Sequence, residues 1–136
     1  MDLTTSLAIA ASGMRAQSSR MRVISENIAN ANSTAKTADG QPYRRKIATM
    51  TSEFDRALNA TTVKAEDPIV DQSDFQKRYD PGNPAADKTG YVKTPNVNSL
   101  VEIMDMREAQ QSYEANVDMM QATKTMLSQT INLLNK

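Results

Sequence analysis

Five aspartates, Asp67, Asp71, Asp74, Asp80 and Asp87, fall in one short stretch of this chain, and carboxylate oxygens at that density are the ligands calcium takes. None sits in the D-x-[DN]-x-[DN]-G frame with a distal glutamate, and Asp87-Lys88-Thr89-Gly90-Tyr91 holds only a fragment of it. Turn formation is the preferred reading, because an aspartate carboxylate bonds the backbone two residues on. Glu66 and Asp67 are neighbours in sequence with no partner placed around a cleft, so they do not make an acid–base pair. Arg44, Arg45 and Lys46 could touch a phosphate. With sixteen basic against sixteen acidic residues and no interleaved aromatics, a solvated strand face is preferred. The chain has no histidine and no cysteine. That removes imidazole bases, thiol catalysis, disulfides and most zinc sites. Neither a phosphate-binding glycine loop nor a nucleophile elbow is present. The expectation is therefore no enzyme, metal or cofactor, and no small-molecule substrate or nucleic-acid partner.

Since no side chains converge on chemistry, the informative elements are those that shape surfaces. From residue 96 to the end there is no glycine and no proline. Asn98 or Ser99 can cap a helix there, and Ser99-x-x-Glu102 has the form of a capping box. Glu102, Asp105 and Glu108 suit the positive end of the helix dipole. Met106, Tyr113, Met120, Leu127 and Leu134 recur every seventh residue, with Ala109, Asn116, Thr123 and Thr130 falling three positions after the first four. That alternating spacing is the seam of a coiled coil. Val117, Met119, Met126, Ile131 and Leu133 widen it. A helix from about residue 98 to 135 would be roughly 57 Å long, a rod that needs another helix against its apolar side.

The matching seam lies at the other end of the chain: Leu3, Leu7, Ala10, Met14, Met21, Ile24, Ile28 and Ala31, with a gap at Gln17. Arg22 and Glu26 are spaced for an ion pair along the helix. Gly13 interrupts the pattern, either as a weak point costing about 1 kcal/mol against alanine or as a contact too close for a side chain. Asn30, Asn32 and Ser33, then Asp39-Gly40 and Pro42, end the helix. Between the seams, Tyr43 to Met50 suits a short strand and residues 52–59 a helical turn or two. Val63-Lys64-Ala65 and Ile69-Val70 suit short strands. Phe75, Lys77 and Tyr79 alternate before the turn signals of Asp80-Pro81-Gly82-Asn83-Pro84 and Asp87-Lys88-Thr89-Gly90, so a small β-hairpin is expected. The fold class is mainly α: two long terminal helices (1–34 and 96–136) packed as an antiparallel coiled-coil-like pair, with a middle segment (35–95) containing the hairpin. Aromatic residues are 4% of the chain, so the core should be thin. Met119, Met126 and Leu133 would be left over after two helices cover one another, which favours assembly. The amino terminus carries an acid where a secretory signal carries a cation, and no apolar run reaches the length of a membrane span.

Three blocks resemble the flagella basal body rod protein family. Ala11-Ser12-Gly13-Met14-Arg15-Ala16-Gln17, continuing through Arg20-Met21-Arg22-Val23-Ile24-Ser25-Glu26-Asn27-Ile28-Ala29-Asn30-Ala31-Asn32-Ser33-Thr34, is similar to the amino-terminal signature of rod, hook and hook-associated proteins. Gly40-Gln41-Pro42-Tyr43-Arg44-Arg45-Lys46 is more particular to proximal-rod members. So is Tyr79-Asp80-Pro81-Gly82-Asn83-Pro84 with Gly90-Tyr91-Val92-Lys93-Thr94-Pro95-Asn96-Val97-Asn98 and Ser112-Tyr113-Glu114-Ala115-Asn116-Val117. Ser33-Thr34-Ala35 departs from the commoner threonine pattern after the asparagine-rich turn. The resemblance implies a structural subunit of the proximal rod, part of the drive shaft carrying torque from the MS ring to the distal rod and hook. It implies that the seam residues pack subunits and that Asn27, Asn30 and Asn32 form a motif turn. The implied partners are other proximal and distal rod proteins, the MS-ring/rod adapter protein, copies of the chain itself, and the flagellar type III export apparatus. The implied location is the basal body in the periplasmic space, reached without a cleaved signal peptide. A cytoplasmic coiled-coil adaptor or secretion chaperone is the competing reading of the same two helices.

Overall fold

The computed structural model of the chain describes residues 3–134. The elements in order are α1 (Leu3–Asn30), β1 (Lys46–Ile47), β2 (Met50–Asp55), β3 (Ala60–Ala65), β4 (Ile69–Val70), β5 (Gln76–Tyr79), β6 (Tyr91–Thr94) and α2 (Ser99–Leu134). The expected helix end at residue 135 lies outside the described residues. The six strands pair as three separate two-stranded antiparallel sheets, β1 with β4, β2 with β3 and β5 with β6. The chain divides into two compact units. One is built from Met1–Met21, Thr49–Asp67 and Arg107–Lys136, the other from Arg22–Ala48 and Pro68–Met106.

Local chemistry sets the helix ends. Of the two candidate caps, Asn98 is the one used: its Oδ1 accepts from the N–H groups of Leu100 (3.1 Å) and Val101 (3.4 Å). Its carbonyl takes the first intrahelical bond, from the N–H of Glu102. The capping box does not form, because the Glu102 side chain is engaged elsewhere. At the end of α1, Asn30 Nδ2 donates to the Glu26 carbonyl and Ser33 Oγ to the Asn30 carbonyl. These bonds satisfy acceptors that a helix end leaves open.

In the first unit, β2 and β3 form a hairpin paired from Met50↔Ala65 to Asp55↔Ala60. The helical turn expected over residues 52–59 is overturned here. Asp55 Oδ1 accepts from the N–H groups of Ala57 and Leu58, and Asn59 takes a left-handed conformation (φ 47°). Together they close a tight turn that asparagine tolerates and most residues do not. Ser12, buried in α1, donates to the Ile9 carbonyl (2.7 Å) and accepts the N–H of Val63 (3.2 Å), fixing β3 against the helix. The two helices of this unit run antiparallel. Gly13 faces Asn116, while further along α1 Arg20 meets Glu108 at 3.2 Å. A Cβ on Gly13 would lie 3.0 Å from both terminal atoms of the Asn116 side chain, so the glycine marks a close approach and not a weak point.

In the second unit, β5 and β6 form the expected hairpin, with Tyr79 opposite Tyr91 and the rings edge to face at 5.3 Å. Asp71 and Asp87 act as turn formers. Asp87 Oδ1 accepts from Thr89 N and Oγ1 and from Tyr91 N, and Asp71 Oδ1 accepts from Ser73 N. Those bonds hold both carboxyls below the usual aspartate range, the bonds from Thr89 leading for Asp87 and those from Ser73 for Asp71.

The core is thin, as composition predicts. In the first unit the buried apolar residues are Ala10, Ala16 and Ala109; in the second they are Val23, Ile24, Ala31, Ala85, Val92 and Val97.

Candidate assembly surface

A polar cluster organises the second unit. Asn27, only 1% exposed on α1, pairs with both backbone groups of Lys46: its Oδ1 accepts the N–H (2.9 Å) and its Nδ2 donates to the carbonyl (2.8 Å). The amide thus serves as a strand partner for β1. Its Oδ1 also accepts from the Tyr43 hydroxyl, and its Nδ2 donates to Glu102 Oε2 (2.9 Å). Glu102 is likewise 1% exposed, and its other oxygen accepts from Arg45 Nε at 2.6 Å. Arg45 lies near Asp105 (3.6 Å) and Asp71 (3.9 Å) as well. A buried carboxylate is tolerable on these terms, with a guanidinium and an amide taking both oxygens. Burial, then the nearby charges of Glu26 and Glu102, push the Tyr43 hydroxyl up to about 12.

Several expectations change at this cluster. Arg44, Arg45 and Lys46 are not a solvated face. The Arg44 guanidinium lies 4.2 Å from the Phe75 ring centre and donates to the carbonyls of Asp71 and Ser73, while Lys46 pairs with Glu26 at 2.5 Å. Glu26 therefore does not take the i,i+4 pairing with Arg22. Asn96 acts as a second clip. Its Oδ1 accepts the Arg45 N–H (2.8 Å), and its Nδ2 donates to the Asp71 carbonyl and to Ser73. Pattern reading named Glu102, Arg45 and Asn96 but missed the cluster they form. The available signal was a run of three cations in a chain with an equal number of acids, which asks where the counter-charges are.

The seam residues divide by burial. On α1, Ala10 and Ile24 are buried, and Leu3, Leu7, Met14, Met21 and Ile28 are half-buried. On α2, Ala109 is fully buried, Met106, Tyr113, Asn116, Met120 and Leu127 are half-buried, and Leu134 is exposed. Of the motif asparagines, Asn27 is the buried centre of the cluster within the helix, Asn30 closes the helix, and Asn32 is exposed. Outside the seam, α2 carries exposed apolar side chains. In its first turns the polarity is inverted: Glu102 is buried while Leu100, Val101, Ile103 and Met104 face water. Nearer its end Met119, Met126 and Leu133 are 57%, 51% and 75% exposed at seven-residue spacing. These apolar side chains recur on one helix face and are exposed to solvent in the single chain.

The comparisons with known proteins fall on these same elements. The model of the flagella basal body rod protein family matches residues 7–35, most of α1. That of the flagellar basal body rod FlgEFG protein C-terminal region matches residues 88–133, which hold β6 and nearly all of α2. The flagellar basal-body rod protein FlgC of Agrobacterium fabrum is 50% identical over 97% of this chain and 95% of its own length. That of Bacillus subtilis is 41% identical over 94% of this chain and 95% of its own. That of Borreliella burgdorferi is 35% identical over 98% and 99%. The chain belongs to the FlgC family of flagellar basal-body rod proteins. In this FlgC-family chain most seam residues are only partly buried, and further apolar residues are exposed outside them. Among the described residues, no helix is long and apolar enough to cross a membrane.

Proposed function

We propose that this chain is a structural subunit of the proximal rod of the flagellar basal body, a piece of the drive shaft that passes torque from the MS ring to the distal rod and hook. The observation that carries the reading is the exposed stripe Met119, Met126 and Leu133 on α2, in a chain that matches rod proteins from end to end. The half-buried seam residues, Leu7, Met14, Met21, Tyr113, Met120 and Leu127 among them, pack the helices as a coiled-coil-like pair and share their remaining surface with neighbouring subunits. Torsional stiffness then arises from many staggered helix contacts of modest individual strength. The partners are copies of the chain, other rod proteins and the MS-ring/rod adapter protein. The chain reaches the periplasmic space through the flagellar type III export apparatus without a cleaved signal, and no catalysis is involved.

Fractionation tests this. The chain should co-purify with detergent-resistant basal bodies, and Met126→Asp should remove it from them while leaving it made and exported. A chain that stays in the soluble cytoplasm as a discrete dimer would instead identify an adaptor or chaperone and end the rod reading.

A further inference from the structure

We infer that Met119 and Met126 form an oxidation-sensitive site through which hydroperoxides block assembly of the free subunit; the inference rests on the assembly role proposed above. The two thioethers are more than half exposed, seven residues apart on one face of α2, and no charged residue lies among their stripe companions Ala115, Ala122 and Leu133. Met104, 64% exposed, is equally open, whereas Met14, Met21, Met50, Met106 and Met120 are half-buried. Sulfoxidation is governed by access to the sulfur lone pair, so the chain holds a fast and a slow class of methionine. In the reaction the sulfur lone pair attacks the outer oxygen of a hydroperoxide. The S–O bond forms as the O–O bond breaks, and the proton passes to the departing oxygen, releasing water or an alcohol. Sulfur loses two electrons and the peroxide gains them.

The consequence follows from the position of the stripe. A sulfoxide is a strong acceptor with no donor waiting for it in an apolar contact, and burying it there is costly. Leucine would cover the same contact without this liability, as it does at residue 133. Once subunits have packed, the sulfurs are shielded. Oxidation therefore acts before assembly and spares finished structures, and methionine sulfoxide reductases can reverse it.

The test has two arms. Peroxide-treated purified chain is mapped by mass spectrometry over time. Met104, Met119 and Met126 should oxidise at least threefold faster than Met14, Met21, Met106 and Met120, and equal rates would overturn the site. In cells given a peroxide pulse, newly made chain recovered in basal bodies should carry several-fold less sulfoxide at Met119 and Met126 than the unassembled pool. The Met119→Leu/Met126→Leu chain, each measured as treated against its own untreated level, should lose several-fold less incorporation than the unaltered chain. Sulfoxide at both positions in freshly assembled basal bodies, at the level of the free pool, would overturn the inference while leaving the rod reading intact. Absence of the untreated chain from basal bodies would overturn both.

Discussion

The two compact units solve the same packing problem with different chemistry. In the unit containing Gly13 and Asn116, the buried apolar residues are alanines, and a glycine admits the facing side chain at close range. In the unit containing Asn27 and Glu102, larger aliphatic residues are buried beside a fully paired asparagine and carboxylate. Small residues allow close approach but specify direction weakly, since many registers of an alanine face pack equally well. A buried polar cluster specifies one arrangement, because any shift strands a charge. The first unit is thereby suited to adjust against neighbours, and the second to hold its internal geometry.

The largest expected effect falls on the polar side of this contrast. Arg45→Ala leaves the Glu102 carboxylate buried without its cation, a change that typically costs about 3–5 kcal/mol. Hydrogen exchange should show loss of protection at the amides of β1 and the first turns of α2. Replacing both partners, as Arg45→Met/Glu102→Met, should recover most of that loss; a double variant as weak as the single one would mean the pair is more than a satisfied charge.

Next comes Asn27→Leu, which keeps the volume but strands the backbone groups of Lys46, at about 1–3 kcal/mol for the unpaired groups. Chemical denaturation measures it. A loss under about 0.5 kcal/mol would show that the amide merely fills space.

On the small-residue side, Gly13→Leu should destabilise by about 1–3 kcal/mol through overpacking against Asn116. Asn116→Ala introduced with it should restore part of the loss. Additive penalties, with no rescue, would place the clash elsewhere.

Tyr43 adds a pH test. Its folded pKa is raised to about 12, so the neutral phenol is favoured in the fold. That contribution is fully present below the ordinary tyrosine value near 10 and is lost as pH climbs through 12. Stability should fall more steeply between those limits in the parent than in Tyr43→Phe, and identical alkaline profiles would count against the burial of the hydroxyl. Asp71 and Asp87 act in the opposite sense, their depressed values giving stability above the ordinary aspartate range that is lost as pH falls.

The smallest effect is expected at the surface. Glu108, with its side chain 66% exposed, meets Arg20 at 3.2 Å, and Glu108→Ala should cost only about 0.2–1 kcal/mol, fading in high salt. A salt-insensitive loss would mean that Arg20 depends on its partner for more than charge.

Much of the architecture is local in origin and was legible in the chain. The absence of glycine and proline after residue 96, the asparagines at both helix borders, and the Asp80-to-Gly90 turn signals place α1, α2 and the β5–β6 hairpin. The scarcity of aromatics foretells a thin core. What periodicity could not supply is which partner each polar side chain finds. Glu102 suits a helix start by any local rule, and only the return of residues 43–46 beside α2 makes it a buried acid with Leu100 and Met104 outside. The three cations at residues 44–46 look solvated until the fold brings Glu26, Asp71, Phe75 and Glu102 to them. Residues 52–59 suit a helical turn by local spacing, and only in the fold do Asp55 and Asn59 close the β2–β3 turn while Ser12 of α1 meets Val63. Propensity and spacing act over a few residues, whereas these contacts join residues 19 to 75 apart, and at that range only the folded chain decides.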